Sequence, residues 1–205
     1  MMIKTVIAGV YDENCYIAMD DTTKEAVVMD PGGNADLIID AIEKMGAKPK
    51  FILLTHGHFD HVGAVDELKQ KYNIEFFISE EDEKMIEKKE SAFGPLDKAD
   101  GYIEDGSIFK IGETEIKCIK TPGHTPGGTC FLIEDNLFSG DTLFRESIGR
   151  SDFPGGNFSQ LIDGIKTKLM TLSDDITVYP GHNGSSSIGH ERLNNPFLTG
   201  DMYAY

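Results

Sequence analysis

A chain of 205 residues can bury one substantial hydrophobic core but not two, so residues 1–205 are expected to form a single domain. Hydrophobic residues at 40% and charged residues at 26% exclude a fibrous or disordered protein. With 19 basic against 35 acidic side chains, the formal charge of −16 repels phosphate backbones and anionic lipid, and no Lys/Arg-rich run interleaved with aromatics offsets it; neither nucleic acid nor a membrane is an expected partner.

The opening MMIKTVIAGVYDENC lacks the apolar core and small-residue cleavage site of an export signal, and no stretch reaches membrane-spanning length, which predicts a cytoplasmic protein. Cys15, Cys118 and Cys130 are odd in number and not closely spaced, so they read as small buried side chains rather than as disulfides or a zinc knuckle. Nothing in the sequence fixes an oligomeric state.

In chain order, MIKTVIAGV, NCYIAMD and EAVVMDPG read as extended segments separated by acidic or Gly-containing turns. Asn34 stands at an N-cap position, Leu37, Ile38, Ala41, Ile42 and Met45 recur on one helical face, and Gly46 supplies the stop, which predicts a helix lying over the sheet. The apolar run Phe51 to Leu54 reads as a buried strand ending at Thr55-His56-Gly57-His58-Phe59-Asp60-His61. The spacing of Val62, Val65 and Leu68 then starts another helix near His61. IEFFIS predicts a strand, Ser79 to Glu90 a charged helix, and 91–106 an irregular passage that is a candidate substrate-side loop. SIFKIG, TEIKCIKT, TCFLIED and NLFSG predict strands, and Leu161, Ile162, Ile165 and Leu169 a helix. ITVYPGH supplies one last strand and loop, and Ile188 to Arg192 the start of a closing helix. This succession suits an α/β fold, an αββα sandwich of two mixed sheets flanked by helices, although pattern alone leaves other α/β arrangements open.

The chemistry starts from an economy of histidine: the chain has six, and five follow or lie within glycine-containing loops that end predicted strands. His56-Gly57-His58 sets two borderline nitrogen ligands close together, and Asp60-His61 adds a carboxylate and a third imidazole, enough for two metals to share the segment. Alone, each histidine reads as a surface or capping residue and Asp60 as a helix-start carboxylate favoured by the dipole; together, HGHFDH reads as ligation. His124, in TPGHTPGG, and His182, after TVYPG, repeat the strand-end, glycine-before-ligand pattern. Asp141, directly after LFSG, is either a cap or, set between several histidines, a natural bridge between cations. His190 finds no ligand role left and reads as a structural hydrogen-bonding residue.

THGHFDH, TPGHTPGG, FSGDTLF, YPGH and the terminal IGHERLNNPF, with GRSDFPGG at 149–156, make the whole chain resemble the metallo-β-lactamase-fold superfamily, specifically its small glyoxalase II-like (hydroxyacylglutathione hydrolase-like) branch. The resemblance implies the αββα fold and two divalent metals, with zinc leading and iron or manganese the alternatives. It puts His56, His58 and His124 on the first metal, Asp60, His61 and His182 on the second, and Asp141 on both, with Asp60 also aligning the attacking water. The implied reaction is hydrolysis of a small hydroxyacyl thioester, a small-molecule substrate that needs no protein nucleophile. Arg145 and Arg150, in FRESIGRSD, are candidates for binding a carboxylate or phosphate of that substrate, although an internal Arg150–Asp152 or helix contact that merely shapes the loop is the favoured reading of Arg150. After Leu198 seven residues remain, so the basic C-terminal helical region that holds glutathione in longer glyoxalase II enzymes is not expected. The alternative is a persulfide dioxygenase-like enzyme, similar around GRSDF and using a single iron at His56, His124 and Asp141. A β-lactamase fits less well for want of an export signal, and a nuclease because of the negative charge. A flavodiiron domain fits less well because His58 stands where that group turns to carboxylate, and a metal-binding module because it would need fewer ligands.

Overall fold

The computed structural model describes residues 1–200. The first three extended segments form a meander, β1 (Met2–Ala8), β2 (Glu13–Met19) and β3 (Glu25–Met29), each antiparallel to the next. Helix α1 (Ala35–Met45) carries the chain back, so that β4 (Lys48–Leu53) joins β3 in parallel. Short helices α2 (Phe59–Val62) and α3 (Val65–Tyr72) lead to β5 (Glu75–Ile78), and α4 (Glu80–Glu87) to β6 (Gly101–Tyr102), both again parallel. In the second sheet β7 (Ile108–Ile111), β8 (Thr114–Lys120), β9 (Thr129–Ile133) and β10 (Asn136–Gly140) run antiparallel in turn. A small hairpin, β11 (Leu143–Phe144) with β12 (Ser147–Ile148), precedes helix α5 (Phe158–Gly164) and a π-helical turn (Ile165–Leu169). β13 (Thr177–Pro180) lies parallel to β10, β14 (Ser186–Ser187) covers its edge, and α6 (Ile188–Asn194) and α7 (Pro196–Thr199) follow. The sheet orders are β1-β2-β3-β4-β5-β6 and β14-β13-β10-β9-β8-β7.

The two-residue period of the strands sorts their side chains into layers. Ile17, Val28 and Ile52 face a core with Ile38, Ile42, Val65 and Leu68 of α1 and α3. Their neighbours Tyr16, Ala18, Val27, Met29 and Leu53 face the opposite way, against Ile116, Cys118, Phe131 and Phe138 of the second sheet. Ile119, Cys130, Leu137 and Val178, on that sheet's far side, pack on Leu161, Ile165, Leu169 and Ile188. The central strands of both sheets are therefore buried on both faces, which is why they read as nearly continuous apolar runs. The result is the αββα sandwich, and all three cysteines are buried and unpaired within it. Among the described residues no helix is long and apolar enough to cross a membrane.

Local differences from the sequence reading have identifiable causes. Asn34 precedes α1 in the left-handed region (φ 46°) and makes no cap bond, because its Oδ1 accepts the Gly9 N–H at 2.8 Å instead. Leu37 is 49% exposed, whereas Ile38, Ala41 and Ile42 are buried, so the apolar stripe is narrower than its sequence count. Val62, Val65 and Leu68 are all buried, but on two helices broken at Gly63-Ala64, not one. The strand before His182 is followed by a further short one, β14. The 91–106 passage contributes β6 and is otherwise held by backbone bonds to the ligand segment, Phe59 N–H to Ala92 O at 2.9 Å and Gly94 N–H to Gly57 O at 3.1 Å, and by Glu83 of α4, which accepts the Ala99 N–H at 2.7 Å and the Tyr102 hydroxyl.

Candidate metal centre

Strand direction brings the ligand loops together. β3 and β4 are parallel, β10 and β13 are parallel, and β8 runs with β10 because two antiparallel steps separate them; all five therefore release their chains at one edge of the sandwich. Asp30, the His56–His61 segment, His124, Asp141 and His182 follow those five ends. Gly181 N–H donates to Gly140 O at 2.9 Å, which locks the Asp141 and His182 loops side by side.

His124 Nε2 lies 3.3 Å from His56 Nε2 and 3.0 Å from His58 Nδ1. Ligand atoms about 2.0–2.1 Å from a tetrahedral zinc stand about 3.3 Å apart, so this spacing suits a shared cation. A second group joins Asp60, His61 and His182, with His182 Nε2 at 3.3 Å from Asp60 Oδ2. Asp141 reaches both: Oδ2 is 3.5 Å from His124 Nε2 and 3.8 Å from His182 Nε2, and Oδ1 is 3.5 Å from His61 Nε2. The buried His61 Nε2 and Asp141 Oδ1 have no hydrogen-bond partner, and desolvated polar atoms left so are costly unless an ion sits between them. The residues present therefore fit two cations with Asp141 between them.

The second nitrogens of His56, His61 and His124 are committed elsewhere, which fixes those three tautomers. His124 Nδ1 donates to the Arg150 carbonyl at 2.7 Å. His56 Nδ1 donates to Thr55 Oγ1 at 3.0 Å, and that hydroxyl donates to Asp30 Oδ2 at 2.5 Å. Asp30 Oδ2 also accepts His61 Nδ1 at 3.1 Å, and Oδ1 accepts the Thr55 N–H at 2.7 Å. One buried carboxylate thus orients a histidine of each group. Asp30 was missed in the sequence reading; its signal was a strand end followed by Pro-Gly, the same punctuation as the ligand loops.

Electrostatics divide the two groups. Burial and the neighbouring imidazoles hold His56 well below the usual histidine range; burial and His124 take His58 down to about 3, and burial lowers His124. All three are neutral and ready to ligate. His61 is the opposite: burial opposes its charge, but Asp141, Asp30 and Glu13 overcome it and raise the group to about 10. Asp60, despite burial that acts against it, is held down to about 2 by His182 and His61. The second group is therefore an ionised one, with carboxylates awaiting a positive partner.

The ligands floor a cleft of about 370 Å³ whose other walls are Tyr11, Phe59, Ala92, Arg150 and Phe153. Ala92 brings the 91–106 passage to the cleft wall. Arg150 is gripped by Asp152 through two 2.7 Å bonds and lies 3.9 Å over the Phe153 ring, so the loop-shaping contact is present at the cleft wall. Arg145 sits on the exposed turn of the β11–β12 hairpin, outside the cleft lining. His190 pairs with Glu146 at 2.9 Å, away from the ligand groups. A larger groove of about 740 Å³ between α4 and residues 93–98 contains none of the ligand side chains.

Comparison with known proteins gives the family. The chain is 39% identical to hydroxyacylglutathione hydrolase GloC of Haemophilus influenzae, an alignment that spans 97% of this chain and 98% of that one. The solved structure of the BLEG-1 B3 metallo-beta-lactamase superposes with a TM-score of 0.88 at 34% identity over 97% of this chain and 100% of that one. TTHA1623, solved in a di-iron-bound form, gives 0.84 at 31% identity over 95% and 100%. The family description "Metallo-beta-lactamase superfamily" matches residues 8–182, a span from the end of β1 to the last ligand loop, and the chain belongs to that superfamily.

Proposed function

We propose that this chain is a two-metal hydrolase of small hydroxyacyl thioesters, with His56, His58, His124 and Asp141 holding one cation and Asp60, His61, His182 and Asp141 the other. The observation that carries the reading is the position of Asp141, which reaches both triads on the floor of an open cleft. Divalent cations held by these residues would lower the pKa of a water and polarise an acyl carbonyl. Asp60, ionised at working pH, orients that water beside His182. Arg150, pre-set by Asp152 and Phe153, keeps Nη1 outside that grip to meet a polar group of the acyl portion. Tyr11, Phe59 and Phe153 exclude water from the flanks of the scissile bond. No buried cysteine is needed as nucleophile; burial raises the Cys118 thiol to about 12 and the Cys130 thiol to about 11. Identity to a hydroxyacylglutathione hydrolase supports the thioester class. Zinc is the leading metal, and the di-iron form of TTHA1623 makes iron the first alternative.

The test uses protein purified without added metal, analysed for metal content and then loaded with zinc or iron. Each form is offered a lactoyl-type thioester of glutathione, the same acyl group on coenzyme A, a β-lactam, and a low-molecular-weight persulfide with oxygen uptake monitored. Two metal equivalents per chain and anaerobic thiol release, with label from water in the acid, are expected. Faster turnover of the β-lactam, or iron-dependent oxygen uptake with persulfide and no thioester cleavage in either form, overturns the proposal.

A further inference from the structure

Asp82 lies on α4, outside every ligand segment, yet it is wholly buried with a charge-bearing side chain. Its Oδ2 accepts the Gly57 N–H at 2.9 Å and the Thr125 hydroxyl at 2.8 Å, and its Oδ1 accepts the Gly127 N–H at 2.7 Å. Gly57 is the residue between His56 and His58; Thr125 follows His124, and Gly127 closes the same loop. One carboxylate therefore ties together the two loops that carry all three histidines of the first group, and it touches neither Asp60, His61 nor His182.

The surroundings fix that carboxylate in place. Ser79 caps α4, its Oγ accepting the Asp82 N–H at 3.2 Å, so the acidic side chain is set in the first turn of the helix and directed at the loops. The TPGHTPGG loop approaches so closely that a Cβ on Gly127 would stand 1.6 Å from Ser79 Oγ and 2.7 Å from Asp82 Oδ1. Three donors converge on two oxygens, a set only a carboxylate accepts; a carboxamide turns one acceptor into a donor and sets N–H against N–H in a site closed to water.

We propose that Asp82 is a positioning residue for the first metal alone: by clamping the His56-Gly57-His58 turn to the His124 loop it holds three imidazoles at their mutual spacing, whereas Asp30 reaches both groups, His61 directly and His56 through Thr55. The inference rests on the ligand partition proposed above. Buried partners that orient ligands are worth about 10- to 100-fold in metal affinity, and here the loss falls on one of two sites sharing a bridging carboxylate.

The experiment separates the sites before testing them. In a His182→Ala background zinc is retained by the first group, and in a His124→Ala background by the second; zinc affinity of each is measured by competition with a chromophoric chelator. Adding Asp82→Asn weakens zinc about 10- to 100-fold in the first background and less than about twofold in the second. Circular dichroism and thermal melting of the metal-free proteins establish that each is folded. Thr125→Val, which removes only the hydroxyl donor to Asp82, shows the same selectivity with a smaller loss and serves if Asp82→Asn does not fold. Equal weakening in both backgrounds, or none in the first, overturns the role of Asp82. A wild-type chain that binds fewer than two zinc ions overturns the two-metal reading instead.

Discussion

At the residue scale, the centre joins histidines that are already neutral for ligation, His56, His58 and His124, to one, His61, that holds its proton. Asp141 spans both groups, so Asp141→Ala is expected to lower occupancy at both sites, whereas His190→Ala, which removes only a contact to Glu146, leaves it intact; elemental analysis of the folded variants checks this. Two-equivalent binding by the Asp141 variant would rule out the bridge. His61 holds its proton up to about 10 in the metal-free protein, and His182 is also raised, while His56, His58 and His124 are neutral. Loading the second site at neutral pH must therefore expel a proton from His61, and loading the first need not. Calorimetry in buffers of differing ionisation enthalpy is expected to show release of about one proton or more tied to the second metal, with affinity rising with pH up to the His61 pKa. Proton release confined to the first metal would contradict the assignment of charge.

At the element scale, the ligand loops work because strand ends and helix starts approach closely. Gly140, the last residue of β10, has φ 48°, and a Cβ there would lie 2.2 Å from Thr55 Oγ1, the hydroxyl that links His56 to Asp30. Gly140→Ala is expected to cost about 1–3 kcal/mol in stability and to weaken metal binding as well, measured by denaturant melts of the metal-free chain and by metal titration. An unchanged melt would mean that the β10 end yields more readily than its packing indicates. α5 contributes packing: Leu161 is fully buried against the second sheet, with its backbone and Cβ set against Gly123 beside His124. Leu161→Ala removes apolar contact only, and about 2–5 kcal/mol of stability should go with it while metal stoichiometry stays at the wild-type value.

At the scale of the whole molecule, three apolar layers hold the sandwich and the candidate ligand loops meet along one edge. Chelation is therefore expected to lower the melting temperature without erasing secondary structure. Two sites each saturated about 100-fold contribute roughly 5 kcal/mol, on the order of 10 °C for a domain of this size. Scanning calorimetry against circular dichroism with and without chelator separates the two effects, and loss of the sheet signal on chelation would show that the metals, not the layers, carry the fold.

What the sequence by itself determined is the periodic and the punctuated. Nearly continuous apolar runs marked strands buried on both faces, Leu161 to Leu169 marked a core-facing helix, and glycine beside histidine or aspartate at strand ends marked the ligand loops. Those signals are local, and one chain segment carries each of them. Tertiary structure decided the rest because the partners are distant in sequence. Asn34 gave up its capping role to Gly9, 25 residues away, Asp30 met Thr55 at the same separation, and Asp82 met Gly127 across 45 residues. A buried carboxylate looks in sequence like any of the 35 acidic residues of a chain that is mostly acidic at its surface. Only the closing of two sheets and a helix around Asp82 and Asp30 gives those two the donors that make them different.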